Sequence, residues 1–228
     1  MKWRGLEEAE AAAQCATLQE ELDQRRAMAE QYVPAATQAI HRQTIDSLRA
    51  SGISRHSLSR GAQAPSFELP DQNGNLVSSA SLLSGSKLVV CFFRGRWCPF
   101  CVAQMEAMNR IHPQIKKAGA ELIAISPQTV RQGFFMQDQH GIHFPLLSDA
   151  NNQVARQFGL VYRVPEPQQK IYSTTFVNLP FINGEDSWEL PAPGTYILGK
   201  EHEVLYASAD PDYTRRPEPA EILSSLAG

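Results

Sequence analysis

The sequence is short of long apolar runs, of basic residues and of cysteines, and each shortage excludes a class of protein. None of its apolar runs approaches the ~20 residues of a membrane-spanning helix, so we expect no membrane association. The formal net charge is −3, which leaves no basic excess to hold a phosphate backbone, and we expect no nucleic-acid partner. Four cysteines in 228 residues are too few for a disulfide scaffold.

The amino terminus also lacks the apolar segment of a secretory signal peptide. It begins Met1-Lys2-Trp3-Arg4 and turns acidic at Glu7 and Glu8. We therefore predict a cytoplasmic protein, in which thiols are kept reduced. A closely spaced cysteine pair in such a protein indicates catalysis or metal binding rather than a structural disulfide. Hydrophobic residues make up 43% and charged residues 20% of the chain, which is typical of a folded domain.

Residues 1–60 have the composition of a helical arm. They are rich in Ala, Glu, Gln and Arg and nearly free of strand signals. Leu18, Leu22 and Tyr32 share one predicted helical face, and a second predicted helix ends near Gly52. We expect this apolar stripe to pack either on the main domain or on a second subunit. A homodimer through the arm is therefore one of two arrangements that the sequence leaves open.

Residues 61–228 alternate short apolar runs with helical patterns. Leu88–Phe93 and Glu121–Ser126 are predicted strands, and 99–118 is a predicted helix between them. The alternation continues to a closing helix near the carboxyl terminus. This order predicts an α/β domain with helices on both faces of a central sheet. The irregular, proline-rich stretch at about 162–193 interrupts the pattern and is predicted to be an insertion, which in a compact domain is usually functional.

The segment Trp97-Cys98-Pro99-Phe100-Cys101 places two cysteines at a predicted strand-to-helix junction. The thiolate is the reactive form of cysteine, and a free thiol with a pKa near ~8.5 is mostly protonated at neutral pH. The partial positive charge of a helix amino terminus lowers that pKa by about one unit. Arg94 and Arg96 precede the pair and can add to this effect. The pattern therefore predicts thiol–disulfide or peroxide chemistry.

The spacing of the pair suits reversible disulfide formation. Cys98 and Cys101 are three residues apart and so share one face of the first helical turn. Pro99 fits the first helical position because its missing N–H would have no partner there. We expect Cys98 to be the more exposed, attacking thiolate, Cys101 to be the shielded, resolving thiol, and Trp97 to pack over the pair. A zinc site would need two further ligands, and no pair stands out, so we expect neither a metal nor an organic cofactor.

Four segments resemble a known family. Trp97–Cys101 is similar to the WCxxC of thioredoxins, and its last four residues are similar to the CPYC of glutaredoxins. Ala64–Asp71 and Phe92–Gly95 resemble the APdFxLpD and FFyPg segments of peroxiredoxins, the AhpC/TSA branch of the thioredoxin superfamily. Pro211–Pro219 resembles the tail of peroxiredoxin-like proteins that carry a CxxC. The resemblance covers residues 64–226 and implies a thioredoxin-like fold with a central mixed sheet, to which the helical arm is an extension.

The chain departs from the peroxiredoxin pattern at two places, which leaves the attacking cysteine undecided. The family motif PxxxTxxC ends at the peroxidatic cysteine, and here that position is Cys101, with Arg94 and Cys98 at the Pro and Thr positions. The thioredoxin resemblance names Cys98 instead. The family also places an arginine before a late strand, whereas residues 191–195 contain none. Loss of one such donor typically lowers the rate of reaction by ~10²–10³. Rapid reaction with peroxide therefore requires another donor, and Arg94 is the candidate.

Three alternative functions stay open, and the resemblance implies the first two. The first is a thiol-dependent peroxide reductase that cycles through a Cys98–Cys101 disulfide, with a hydroperoxide as substrate and thioredoxin or a small thiol as reductant. The second is a thioredoxin-like reductase of protein disulfides, which the WCxxC and the missing arginine favour. The third is a redox-switched binding or chaperone-like protein, in which the arm contacts the partner. The candidate catalytic residues are Arg94, Trp97, Cys98 and Cys101.

Overall fold

The structure is a computed structural model that describes residues 15–175 and 177–227. Its strands, in chain order, are β1 (Glu68–Pro70), β2 (Leu76–Ser78), β3 (Lys87–Phe92), β4 (Ala120–Ser126), β5 (Leu146–Ser148), β6 (Val161–Arg163), β7 (Glu189–Pro191), β8 (Gly194–Leu198) and β9 (Val204–Ala209). Its α-helices are α1 (Leu18–Tyr32), α2 (Ala35–Ser51), α3 (Ile53–His56), α4 (Ser79–Leu83), α5 (Pro99–Lys117), α6 (Val130–His140), α7 (Gln153–Gln157), α8 (Glu166–Thr174), α9 (Leu179–Asn183) and α10 (Pro219–Ala227). Within those residue ranges, no helix combines the length and apolar character needed to cross a bilayer.

The central sheet has the strand order β5-β4-β3-β8-β9. Val89 of β3 lies opposite Leu122 in the parallel pair with β4 and opposite Ile197 in the antiparallel pair with β8. The sheet is therefore mixed, as the resemblance predicts. From Leu88 to Phe92, β3 is fully buried, because the two core clusters cover opposite faces of the sheet. Burial on both faces explains why its sequence is apolar throughout rather than alternating.

The cysteine pair lies at the carboxyl end of the central strand. The predicted strand Leu88–Phe93 is observed as Lys87–Phe92, and the predicted helix 99–118 as Pro99–Lys117. Six residues join β3 to α5, and Cys98 is the last of them. Because β3 is held by strands on both sides, the turn that follows it is fixed on a rigid support.

The helical arm packs on its own domain. Leu18 and Leu22 of α1 are 3% and 0% exposed and belong to the same hydrophobic cluster as the buried face of α5. The carboxylate of Glu218 accepts hydrogen bonds from the backbone N–H groups of Leu18 and Gln19, at 2.9 and 2.8 Å, and so caps α1. Tyr32, which the sequence places in the same stripe, is 74% exposed, because the buried contacts of α1 are confined to its first two turns. A dimer through the arm stays a prediction.

The stretch at about 162–193 contains regular structure where we expected irregular chain. Its two ends pair as the antiparallel strands β6 and β7, with Tyr162 opposite Leu190. Helices α8 and α9 lie between these strands. Tyr172 of α8 is 5% exposed and reaches the ring of His41 in α2, at a centroid distance of 6.5 Å. This stretch therefore contacts the arm on the side of the sheet where the cysteine pair lies.

Candidate active site

The turn between β3 and α5 depends on Gly95. Its φ is +136°, and a Cβ at this position would lie 2.7 Å from Trp97 Nε1, so only glycine fits. Cys98 is the N-cap of α5 and Pro99 occupies the first helical position, as predicted. The pair therefore sits at the amino end of a 19-residue helix, where the backbone N–H groups have no partners within the helix.

Both thiols are buried. Cys98 is 1% exposed and lines a cavity, whereas Cys101 is 0% exposed and does not. Cys98 is thus the more accessible of the two, as predicted, although neither thiol lies at the surface. The sequence pattern places Cys98 before the first turn, but Trp97, Phe100 and the arm surround it in the folded chain. A cavity lined by these groups leads to Cys98. Access to the sulfur is therefore through that cavity.

The two thiols differ in acidity. Burial acts to raise the pKa of Cys98, but a hydrogen bond from the Cys101 thiol and the charges of Arg94 and Arg216 outweigh it and lower that pKa to about 6. Burial raises the pKa of Cys101, and the hydrogen bond to Cys98 and the negative charge of its thiolate raise it further. These interactions favour the thiolate of Cys98 over that of Cys101.

Arg94 is fully enclosed beside Cys98. It is 2% exposed, and its Nη1 lies 4.0 Å from Cys98 Sγ. Its Nη2 donates to the hydroxyl of Tyr172, and its guanidinium lies 4.7 Å from the ring centre of Trp97 and 4.2 Å from that of Tyr213. Burial acts to lower the pKa of Arg94, but the surrounding phenols and Cys98 more than offset it, so the group stays charged. The structure brings together Arg94, Trp97 and both cysteines.

Arg96 does not join the pair, which corrects the expectation of two arginines beside the thiols. Its backbone N–H donates to Gln128 Oε1 at 2.9 Å, its Nε donates to Gln132 Oε1 at 2.7 Å, and its Nη1 donates to Gln139 Oε1 at 3.2 Å. The positive φ of Gly95 reverses the chain between the two arginines, so that Arg96 extends towards α6.

Arg216 is the functional residue that sequence reasoning missed. It is 8% exposed, and its Nη2 donates to Cys101 Sγ at 3.5 Å. Its Nε donates to Gln104 Oε1 at 2.6 Å, and its Nη1 donates to the backbone carbonyls of Tyr213 and Arg215. Within the described residues, Arg216 forms these hydrogen bonds and no ion pair. The one available signal is its place in the tail segment that resembles CxxC-containing relatives.

The peroxiredoxin pattern has an arginine just before a late strand, whereas in this chain the corresponding strand, β8, contributes the hydroxyl group of Thr195. Thr195 of β8 is buried and accepts a hydrogen bond from Gln104 Nε2 at 3.2 Å. Because Gln104 also accepts from Arg216, the arginine is fixed to both the sheet and α5. Arg216 thus brings a guanidinium to the cysteine pair from the tail rather than from the residues before β8.

Three tyrosines complete the surroundings of Arg94, and the sequence assigned none of them to the site. Tyr172 accepts hydrogen bonds from Arg94 and, at 2.5 Å, from Gln168 Nε2, and its ring meets that of Trp97 edge-on at 5.2 Å. Burial raises the pKa of Tyr162, Tyr172 and Tyr213, so all three stay neutral. Two of them, Tyr162 and Tyr172, come from the stretch at 162–193.

The other groups considered as ligands or nucleophiles do not extend the site. Burial raises the pKa of the Cys91 thiol to about 12, so this mid-strand cysteine is unreactive. Among the described residues, no three His, Cys, Asp or Glu side chains cluster as metal ligands would.

Comparison with known proteins identifies the family. A model of the AhpC/TSA family matches residues 60–207. The chloroplastic peroxiredoxin Q of Oryza sativa subsp. japonica is 36% identical over 149 residues, which are 65% of this chain and 58% of that protein. Peroxiredoxin Bcp of Escherichia coli K12 is 32% identical over 103 residues, which are 45% of this chain and 65% of that protein. The matches thus span less than two thirds of either relative.

A solved structure confirms the fold. The crystal structure of peroxidoxin BcpB from Mycobacterium tuberculosis superimposes with a TM-score of 0.58 at 22% identity, over 74% of this chain and 96% of that one. At this identity the likeness concerns the fold alone, and it agrees with the predicted thioredoxin-like arrangement of a mixed sheet flanked by helices. Since the family model matches well over half of its length, the chain belongs to the AhpC/TSA family of peroxiredoxins.

Proposed function

We propose that this protein is a thiol-dependent peroxide reductase in which Cys98 attacks the peroxide and Cys101 resolves the product. One observation carries the proposal: the charges of Arg94 and Arg216 and the hydrogen bond from Cys101 converge on Cys98 and keep it ionised. The relatives named peroxiredoxin support a peroxide as the substrate. The order of the two cysteines follows from acidity, since a thiolate and not a thiol attacks an O–O bond.

In the first step, the Cys98 thiolate forms a bond to the terminal oxygen of the hydroperoxide as the O–O bond breaks. Cys98 becomes a sulfenic acid, and the departing alkoxide or hydroxide takes a proton to leave as an alcohol or water. Arg94 Nη1, 4.0 Å from the sulfur, is close enough to stabilise the charge that develops on the departing oxygen. The role proposed for Arg94 is thus the donor role that the sequence predicts for it.

In the second step, Cys101 Sγ attacks the sulfenic sulfur of Cys98 and water leaves. One S–S bond forms, and the cysteine pair is now oxidised by two electrons. The Cys101 thiol must lose its proton for this attack, and Arg216 Nη2 at 3.5 Å favours the thiolate that results. Trp97 keeps bulk water from the pair, since it is 7% exposed and packs between Arg94 and Tyr172.

The burial of the pair disfavours the two alternatives from the sequence. A reductase of protein disulfides must present its sulfur to a folded substrate, whereas Cys98 is 1% exposed beneath the arm. A redox-switched binding protein needs an apolar arm surface for its partner, whereas Leu18 and Leu22 are buried in the domain. Both observations favour a small substrate.

The proposal includes a compartment, reductants and an oligomer. We propose that the protein is located in the cytoplasm, because a dithiol that must be reduced again after each turnover requires reducing surroundings. The rice relative is named chloroplastic, so an organelle is the alternative location. Thioredoxin or a small thiol is the proposed reductant. A homodimer through the arm would use Met28 and Tyr32, which are 38% and 74% exposed.

Intact-mass analysis after a short hydrogen peroxide pulse, with dimedone present as a sulfenic-acid trap, tests the proposal. Cys101→Ser is expected to accumulate one dimedone adduct, on Cys98. Cys98→Ser is expected to form an adduct on Cys101 more slowly than Cys101→Ser forms one on Cys98. Cys15→Ser, outside the site, serves as the matched control and is expected to form the disulfide as the unaltered protein does. A faster adduct on Cys101 than on Cys98 would reverse the assigned roles.

A further inference from the structure

The cavity in front of Cys98 is far larger than a small peroxide requires. Its volume is about 450 Å³, on the order of fifteen times the ~30 Å³ that one water molecule occupies in the liquid. Trp97, Phe100 and Tyr213 line it near Cys98, and helices α1 and α2 of the arm form the opposite wall. Such a volume is typical of a site for a small organic molecule.

The arm side of this cavity carries charges of both signs. Arg26, Arg42 and Arg49 line it together with Glu30 and Asp46. Arg49 is engaged by Asp46 at 3.2 Å and by Asp212 at 3.0 Å. Arg42 donates to Gln38 Oε1 at 3.4 Å and forms no ion pair with any described residue. A ligand that carries carboxylates and an ammonium group would complement this wall.

The same wall keeps folded proteins away from the sulfur. Leu18 and Leu22 anchor α1 in the core, and Glu218 caps its amino terminus. The ion pair between Arg49 and Asp212 ties α2 to the tail segment. A small thiol can enter the cavity as it stands, whereas a protein thiol would have to extend past this anchored wall to Cys98, which is 1% exposed.

We propose that this cavity binds the reductant, and that the reductant is a low-molecular-weight thiol with carboxylate and ammonium groups rather than thioredoxin. The inference rests on the proposed Cys98–Cys101 cycle and selects between the two reductants that the sequence left open. In this arrangement the apolar part of the thiol packs on Trp97, Phe100 and Tyr213 beside Cys98. Its carboxylate binds Arg42 on the arm.

The chemistry of regeneration fits the positions of the two sulfurs. The entering thiolate bonds to Cys98 Sγ, which faces the cavity, while the S–S bond breaks and its electron pair leaves on Cys101 Sγ. Arg216, 3.5 Å from Cys101 Sγ, stabilises that departing thiolate until it takes a proton. A second thiolate then attacks the sulfur of the first, which releases the Cys98 thiolate. Two thiols are thereby oxidised to one disulfide, and the cysteine pair is reduced by two electrons.

The test follows the reduction of the Cys98–Cys101 disulfide directly, with no peroxide present. The full-length protein is oxidised with diamide, and stopped-flow Trp fluorescence records its reduction by glutathione, by dithiothreitol and by reduced thioredoxin. Glutathione is expected to give a rate that saturates with concentration, and thioredoxin is expected to be slower at equal thiol concentration. Because diamide replaces peroxide, failure of this inference is distinguishable from failure of the peroxidase proposal, which the dimedone experiment tests separately.

Two arginine variants make the test specific. Arg42→Ala is expected to raise the half-saturating glutathione concentration roughly 2- to 5-fold, as expected for an exposed ionic contact, and to leave the rate with uncharged dithiothreitol unchanged. Arg60→Ala, an exposed arginine away from the cavity, is the matched control and should change neither rate. Faster reduction by thioredoxin, a glutathione rate that does not saturate, or no effect of Arg42→Ala would overturn the inference. An effect of Arg42→Ala on the KM of an organic hydroperoxide alone would assign the cavity to the oxidant instead.

Discussion

Arg216 donates a hydrogen bond to Cys101 Sγ at 3.5 Å, although 115 residues separate them in the chain. The tail segment folds back so that this guanidinium contacts the sulfur of Cys101, which we propose as the resolving cysteine, rather than a carboxylate. Its charge lowers the pKa of both cysteines, against the burial that raises them. Arg216 is thus a positioning and charge-supplying residue at the second sulfur, as Arg94 is at the first.

Replacement of Arg216 should therefore slow disulfide formation more than sulfenic acid formation. We expect Arg216→Met to lower the rate of Cys98–Cys101 closure about tenfold, because it removes a positive charge that lowers the pKa of Cys101. Arg216→Lys retains the charge and should recover part of the rate. Stopped-flow Trp fluorescence across pH separates the two phases. An unchanged pH profile of the second phase in Arg216→Met would contradict the assigned role.

The pKa of Cys98 predicts the pH dependence of its reactions. Because that pKa is lowered to about 6, the thiolate fraction is half at about pH 6, falls about tenfold per unit below it and is nearly complete at neutral pH. The rate of Cys98 alkylation by iodoacetamide should rise to a plateau above about pH 7. Mass spectrometry of the peptide that contains Cys98 measures this rate. A rate that continues to rise through pH 8.5 would show an ordinary thiol.

Arg94 and Arg96 form a matched pair of adjacent arginines with different expected roles. Arg94→Gln should lower the rate of reaction with hydrogen peroxide about 10²- to 10³-fold, because it removes the charged donor beside Cys98 Sγ. Arg96→Gln should change this rate less than about twofold, since Arg96 contacts three glutamines instead. Circular dichroism controls for folding of both variants, and equal losses of rate would refute the assignment.

The hydroxyl of Tyr172 should matter for stability more than that of Tyr213. Tyr172→Phe removes the acceptor of Arg94 Nη2 and leaves a buried charged donor unpaired, at a cost of about 1–3 kcal/mol in the free energy of unfolding. Tyr213→Phe keeps the ring that lies 4.2 Å from the guanidinium and should cost less. Urea denaturation measures both. If Tyr213→Phe were the more destabilising change, the role of the Tyr172 hydroxyl would have to be abandoned.

Gly95 should tolerate no side chain. Gly95→Ala places a Cβ 2.7 Å from Trp97 Nε1 at a φ of +136°, and we expect a loss of about 1–3 kcal/mol in the free energy of unfolding. Gly85→Ala is the matched control, because a Cβ at Gly85 meets nothing within 4 Å and its φ is not positive. The control is expected to be neutral or slightly stabilising. Thermal unfolding that ranks the two variants equally would rule out the steric argument.

Several features of the site follow from neighbours in the sequence. The apolar run at Leu88–Phe93 predicts a buried central strand, and Pro99 predicts the first helical position of α5. Both predictions hold because strand burial patterns and helix starts depend on residues a few positions apart. The depth at which Cys98 is buried could not be predicted, for the complementary reason: residues that cover it, such as those of the arm, come from distant parts of the chain.

The sequence by itself determined a dithiol at a strand-to-helix junction in an α/β domain, because spacing, apolar periodicity and proline placement are local properties of the chain. Only the tertiary structure shows which charges surround each sulfur, which arginine lies beside it and which cavity leads to Cys98. Desolvation and Coulomb interactions depend on distances through space. Arg94, Arg216 and Tyr172 acquire their roles only when the strand, the tail and the stretch at 162–193 converge on Cys98.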